Sequence, residues 1–180
     1  LSVQLTATDS AGASVSDTFD LAIANINEQP NPAPTQSTNW DFLTRDYNLD
    51  GNSDIVAIKK NDTDTGTTEV HITDGATNYQ SWLLQTGTAL GVTDDTWDFV
   101  KGDYDRDGQT DIFSIHKSGT ASGTTEIHIL DAKTQYQSFV LHTDTALGMT
   151  GDNFDFQGVD YNRDGITDIM AIQKSGTGSG

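Results

Sequence analysis

The sequence predicts an all-β protein, a partial β-propeller of about two and a half four-stranded blades preceded by the closing strands of a separate β-domain. Three observations lead there. One block recurs three times at a fixed interval of 57 residues without insertion, short apolar runs alternate with polar residues at a period of two, and clusters of Gly, Asn, Asp and Ser bound the runs.

Taken in order, Val3, Leu5 and Ala7 alternate with Gln4, Thr6 and Thr8, and Asp9-Ser-Ala-Gly12 supplies a turn. Phe19, Leu21 and Ile23 then alternate with Asp20, Ala22 and Ala24, so a hairpin is expected. About 28 residues cannot bury a core of their own, which makes 1–28 the C-terminal part of a larger β-sandwich. All three prolines, Pro30, Pro32 and Pro34, fall in 29–38, an extended and semi-stiff linker. From 39 to 180 the repeats take over. Trp40-Asp-Phe42 returns as Trp97-Asp-Phe99 and Phe154-Asp-Phe156, and Thr67-Thr-Glu-Val-His-Ile72 as Thr124-Thr-Glu-Ile-His-Ile129. Each period holds four strands, in the second copy around Trp97 to Lys101, Ile112 to His116, Thr125 to Leu130 and Gln137 to His142. Units of this size match a propeller blade, and closed propellers need roughly four to eight. Ser175 to Gly180 aligns with Ser118 to Gly123, in mid-repeat, so the remaining blades are expected from a longer chain.

Composition limits the function. Lys and Arg number 9 against 27 Asp and Glu, a formal net charge of -18 that repels phosphate backbones and anionic head groups. Nucleic acid and a polybasic membrane contact are therefore excluded as partners, and a cationic partner is expected. Hydrophobic residues make up 34%, below the usual ~45–50%, and there is no cysteine, so something besides an apolar core or disulfides must hold the chain. No apolar run approaches the roughly 18 residues of a membrane span, and Leu1 to Ser10 shows no targeting pattern.

The residues that carry chemistry lie between the first and second strand of each repeat. They are Asp46, Asn48, Asp50, Asn52 and Asp54; Asp103, Asp105, Asp107, Gln109 and Asp111; and Asp160, Asn162, Asp164, Ile166 and Asp168. Oxygen-bearing side chains at positions 1, 3 and 5, glycine at 6 and carboxylate at 9 give the pattern D-x-[DN]-x-D-G-x-x-D. Calcium takes six to eight oxygen ligands at about 2.3–2.6 Å, and a short loop can wrap it only if alternate side chains turn inward and the backbone reverses at a glycine. Position 7 varies as Asn52, Gln109 and Ile166, which points to its backbone carbonyl as the ligand there. About three Ca2+ sites are expected, one per repeat, with the four-Asp middle loop binding most tightly.

An EF-hand would need Glu at position 12 and flanking helices, but position 12 is Ala57, Ser114 and Ala171 within short apolar runs. Magnesium prefers a small octahedron that keeps its waters, and zinc finds neither Cys nor His in these loops. Asp, Asn and Gly are also plain turn formers. Three copies in register argue for more than that, because ten carboxylates in three short loops repel one another without a counter-ion.

On these loops and the apolar strand after each, Trp40 to Gly180 resembles the FG-GAP/VCBS repeats of integrin-type β-propellers. That resemblance implies the same fifteen residues as calcium ligands. The Phe-Gly and Gly-Ala-Pro element of the integrin branch is absent, so the likeness is to the VCBS-like branch of bacterial surface and secreted proteins. Leu5-Thr-Ala-Thr-Asp9-Ser-Ala-Gly12, with Phe19 through Asn25-Ile-Asn27-Glu28-Gln-Pro30, resembles the end of a cadherin-like domain of the dystroglycan type. There Asp9, Asn27 and Glu28 would fall at a junction calcium site, although Asn25 stands where cadherins carry Asp.

The remaining residues yield no catalytic set. His71 and His128 repeat on one strand face, Glu69 and Glu126 are copies in like environments where a glycosidase needs two unlike carboxylates, and Trp40, Trp82 and Trp97 are expected to build blade cores. No nucleophile elbow, phosphate loop or metal-binding His motif occurs. The expectation is a non-catalytic calcium-binding structural or adhesion segment of a secreted or cell-surface bacterial protein, extracellular in location, with a surface protein or glycan as ligand. The alternatives are a carbohydrate-binding propeller attached to a secreted hydrolase, using Trp82 and His128, and a spacer to an enzyme outside this chain.

Overall fold

Each alternating run forms a strand. The computed structural model describes residues 2–20 and 39–176, and the chain divides into two units, Leu1–Ser37 and Thr38–Gly180. The linker at 29–38 and the candidate junction residues Asn25, Asn27 and Glu28 lie outside the described residues. In the first unit β1 (Ser2–Thr8) pairs antiparallel with β2 (Ser14–Asp20), Val3 opposite Phe19. Asp9 closes the hairpin, its carboxylate accepting the backbone N–H of Ala11 and of Ala13 at 2.9 Å each.

The second unit holds three antiparallel sheets whose strands pair in chain order. The first contains β3 (Trp40–Arg45), β4 (Asp54–Lys59), β5 (Thr67–Thr73) and β6 (Trp82–Gly91). The next contains β7 (Trp97–Gly102), β8 (Asp111–His116), β9 (Thr124–Leu130) and β10 (Phe139–Gly148), and the last β11 (Phe154–Val159) and β12 (Asp168–Gln173). The fourth strand of each complete sheet runs past the alternating segment, through a register shift, to Gly91 or Gly148.

Burial follows from stacking these sheets. Val56, Ile58, Val70 and Ile72 of the first sheet join Phe99, Ile112 and Leu130 of the second in one core, with Leu90, Ala132 and Tyr136. The middle sheet is covered on both faces, so Asp111 through Ile115 are all buried, whereas β4 alternates. On its far side β11 lies against β7 so closely that a Cβ on Gly158 would stand 2.5 Å from the Lys101 carbonyl oxygen. The inner strands β3, β7 and β11 line one groove of about 250 Å³ with Asp41, Asp98 and Asp155.

Buried lysines tie the repeats together. Lys60 Nζ lies 3.0 Å from Asp95 and 3.7 Å from Asp41, and Lys117 Nζ 3.0 Å from Asp152 and 3.2 Å from Asp98. Burial alone would depress the Lys117 pKa, but the Asp152 hydrogen bond and the Asp98 charge outweigh it and the pKa rises.

One core expectation is corrected. Trp97 and Phe139 pack against the core, but Trp82 is 56% exposed. It stands on the first sheet's other face, beside His71, and among the described residues no sheet covers that face.

Candidate metal centre

All three D-x-[DN]-x-D-G-x-x-D segments connect adjacent antiparallel strands, β3 to β4, β7 to β8 and β11 to β12, with no helix on either side. Their backbones share one conformation. Gly51, Gly108 and Gly165 take φ of 89, 83 and 86°, and position 4 is also left-handed, at 60° for Leu49, 62° for Arg106 and 63° for Arg163. Glycine adopts that region freely, whereas the side chains at position 4 do so against steric cost.

Position 9 has a structural task in each copy. Asp54 accepts the Tyr47 N–H at 2.7 Å and the Gly75 N–H at 2.9 Å, and Asp111 accepts those of Tyr104 at 3.0 Å and Ala132 at 3.1 Å. Asp168 accepts the Tyr161 N–H at 3.0 Å. The first two carboxylates thus pin the loop to a 3-10 turn after the third strand, Gly75–Thr77 or Ala132–Thr134, and are almost fully buried.

Positions 1, 3 and 5 divide the loops into two kinds. In the first, Asp46 accepts the N–H groups of Asp50 and Gly51, and Asn48 Nδ2 donates to Asp50 Oδ2 at 2.9 Å. The third repeats this with Asp160, Asp164 and Gly165, Asn162 Nδ2 donating to Asp164 Oδ2 at 3.0 Å. The middle loop cannot, because Asp105 replaces the asparagine and an ionised carboxylate has no proton to give. Asp107 Oδ2 is consequently a buried acceptor without a partner, and so is Asp103 Oδ1, because the Asp107 N–H donates to Asp105 Oδ1 at 3.2 Å and not to position 1 as in the other loops. At position 7 the N–H of Asn52, Gln109 and Ile166 donates to the position-5 carboxylate at 2.8 Å in every copy.

The middle loop also gathers the most charge. Carboxylate oxygens of Asp103, Asp105 and Asp111 lie within 4.8 Å of one another, as do those of Asp105, Asp107 and Asp131. The first and third loops form no such three-carboxylate group among the described residues. Two oxygens on one calcium ion are at most about 5 Å apart, so the spacing fits a shared ion. Asp131 was not among the candidates, since it belongs to the β9–β10 connection, where its Oδ1 caps the 3-10 turn through the Lys133 N–H at 2.8 Å. Its recurrence from Asp74 at the same interval of 57 was the available signal.

Electrostatics separate the loops again. Burial, reinforced by the charges of Asp105 and Asp107, pushes the Asp111 carboxyl up to about 6 despite its two backbone hydrogen bonds. Asp50 is held below its ordinary value by the backbone and side chain of Asn52 and the side chain of Asn48, and Asp164 by the Ile166 backbone and Asn162. With orphaned hard oxygens on Asp103 and Asp107, carboxylates of Asp105, Asp111 and Asp131 at hand and no nitrogen or sulfur donor, the middle loop fits a divalent cation of the calcium type. Comparison with protein-family models, with curated proteins and with solved structures finds no match to this chain.

Proposed function

We propose that this chain is a non-catalytic calcium-binding repeat segment in which Ca2+ orders the loops between the first two strands of each sheet. The observation that carries it is the pair of unpartnered buried oxygens, Asp103 Oδ1 and Asp107 Oδ2, on one residue from each of two carboxylate groups that share Asp105: Asp103, Asp105 and Asp111, and Asp105, Asp107 and Asp131. Each carboxylate accepts a backbone N–H on its other oxygen, from Gly108 and Gln109, but a buried acceptor left unsatisfied costs about 1–3 kcal/mol, and a bound cation would offset that cost. When bound, the ion supplies charge neutralisation and cross-linking; the chain supplies the positions, fixed by Tyr104, Gly108 and Ala132 N–H groups. The tighter site belongs to the middle loop, with weaker ones at Asp46, Asn48, Asp50, Asn52, Asp54 and at Asp160, Asn162, Asp164, Ile166, Asp168.

The finer architecture belongs to this reading. Successive sheets stacked face to face around the groove of Asp41, Asp98 and Asp155 suit propeller blades, and exposed Phe42, Met170 and Ile172 offer apolar faces to further ones. Millimolar external calcium would fill sites of roughly 10⁻⁴–10⁻³ M, which fits an extracellular or cell-surface setting. No described helix is long and apolar enough to cross a membrane. Calorimetric titration with calcium and a thermal melt test the proposal. Heat of binding with a raised melting temperature supports it, and neither at about 10 mM ion, the top of the extracellular range, sinks it.

A second reading is favoured by one surface. Trp40, His71 and Trp82 stand in a row, ring centroids 5.5 and 6.0 Å apart, on the uncovered face of the first sheet, where an aromatic strip can stack on a sugar. His128, the other residue expected to serve a glycan, is only 7% exposed and drops out. Glycan-array binding lost in Trp82→Ala but kept in Asp105→Asn would support this reading; no binding by the intact chain would end it.

A further inference from the structure

Three of the chain's four histidines gather on one face of the middle sheet, away from the acidic loops. Register sets His128 on β9 directly opposite His142 on β10, and His116 on β8 opposite both Trp97 and Glu126. The same face carries Phe99, Ile112 and Leu130, which enter the core shared with the first sheet, so the group sits in the seam between sheets. One nitrogen each from His128 and His142 and one carboxylate oxygen of Glu126 lie within 4.8 Å of one another. The rings of His128 and His142 are 3.9 Å apart between centroids.

His128 is the anchor. It is 7% exposed, and its Nε2, 3.5 Å from Glu126 Oε2, has no hydrogen-bond partner. Ser114 Oγ, in register across from it, is likewise buried and unpartnered. Two orphaned polar groups side by side in an apolar seam need an explanation. Burial first, and then the His142 imidazole, hold the His128 pKa below its ordinary value. His142 is exposed and leaves the group open to solvent.

Comparison within the chain sharpens this. At the equivalent places the first repeat has Lys59 for His116, Gln85 for His142 and Ala57 for Ser114, although it keeps Glu69 and His71. There His71 Nε2 makes a 3.1 Å hydrogen bond to Glu69, and Gln85 stands 3.4 Å from Nδ1, so its polar atoms are occupied. Among the described residues, the second repeat alone brings two imidazoles to a carboxylate and leaves one nitrogen free.

We propose that Glu126, His128 and His142 form a second metal site that takes a zinc-class transition ion, with a fourth position open to water at His142. Imidazole selects zinc, copper and nickel over calcium, and two His with one carboxylate complete three protein positions of a tetrahedron. The site differs from the acidic loops in place and in donor type, and does not depend on whether those bind calcium.

The test uses the whole chain in buffer with calcium in excess, so that acidic loops are filled or shown inert, and titrates Zn2+ by calorimetry and Co2+ by visible absorption. One equivalent of zinc and a tetrahedral cobalt spectrum are expected. His142→Gln, which installs the first repeat's residue at an exposed position, should weaken zinc by at least about tenfold, because even the loss of an outer partner of a ligand costs 10–100-fold. Glu126→Gln should weaken it similarly, and His71→Gln should leave it unchanged. No zinc binding by the intact chain overturns the proposal. So does binding that His142→Gln and Glu126→Gln both leave intact, which would assign the ion to the acidic loops.

Discussion

Replacing Asp105 by asparagine should move stability in opposite directions with and without calcium. In the first and third loops an asparagine at this position donates to the position-5 carboxylate at 2.9 and 3.0 Å, and Asp107 Oδ2 lacks that donor. Asp105→Asn supplies it and removes one charge from a repelling group. A hydrogen bond to a charged group is worth about 1.5–3 kcal/mol; partial solvent screening reduces this to about 1–2 kcal/mol. For a chain of this size that is a rise of roughly 2–8 °C in Tm with chelator present. In calcium the balance shifts. At about 10 mM ion and a Kd near 10⁻⁴ M the middle site contributes about 2.7 kcal/mol. A tenfold weaker site, the order expected for losing a carboxylate ligand, contributes about 1.4 kcal/mol. The variant's calcium-induced rise should therefore be smaller by roughly 3–5 °C. Paired thermal melts in chelator and in calcium read both effects. A variant that melts below the parent in chelator, or gains as much from calcium, refutes the reasoning.

Leu49→Asn should raise Tm by roughly 2–4 °C, because Leu49 is 71% exposed at φ 60° and Asn tolerates the left-handed region at up to about 1 kcal/mol less cost; a fall contradicts this. Gly158→Ala should lower stability by about 1–3 kcal/mol in urea unfolding by forcing β11 away from β7, and an unchanged midpoint would mean that the two strands do not touch as described. Folding raises the Asp111 pKa to about 6, so ionising it costs the native state: this group's contribution is largest below about pH 4 and falls as pH rises to 6. Carboxyl NMR in chelator should show its midpoint near 6, displaced downward by calcium. Asp131→Ser keeps an N-cap, since serine caps as well as aspartate, and should leave Tm in chelator nearly unchanged while weakening calcium several-fold; Asp74→Ser should leave calcium affinity alone.

The strands, the repeat and the loops were legible because each is a local pattern. Alternation fixes which residues face one way, as in Val56 and Ile58, and the interval of 57 aligns three copies without needing a structure. What sequence did not give depends on residues far apart in the chain. Asp131 reaches the middle loop only because Asp111 binds the Ala132 N–H and draws the third strand's end toward it. Asp54 and Asp111 fit the ligand spacing, and only the fold shows that their oxygens also hold backbone donors in two connections. Trp82 and Phe139 occupy equivalent positions and differ in burial because stacking covers one sheet face and not the other. His128 and His71 are copies by sequence; only the partner across the strand, His142 or Gln85, makes them different.

The middle loop is also the one most firmly held from outside. Thr167 Oγ1 accepts the Asp103 N–H and its own N–H donates to the Asp103 carbonyl, each at 3.0 Å. Arg106 reaches the Asp164 carbonyl of the third loop at 3.0 Å, and Arg45 of β3 reaches the Thr110 carbonyl at 2.8 Å. These ties act on the backbone, so they keep Asp103, Asp105, Asp107 and Asp111 together without neutralising any of them. A loop free to spread would lower its repulsion by moving carboxylates into water, and binding would then have to gather them again. Here the carboxylates are gathered without an ion, so the proposed cation would meet oxygens already in place, and less reorganisation would raise its affinity. The asparagines at 48 and 162 satisfy the position-5 carboxylates of the flanking loops by hydrogen bonds, so on the same reading those loops would respond less to an ion. On the proposed reading, sensitivity to calcium would be concentrated in the sheet that is packed on both faces, whose loop is tied through Thr167, Arg106 and Arg45 to both neighbours.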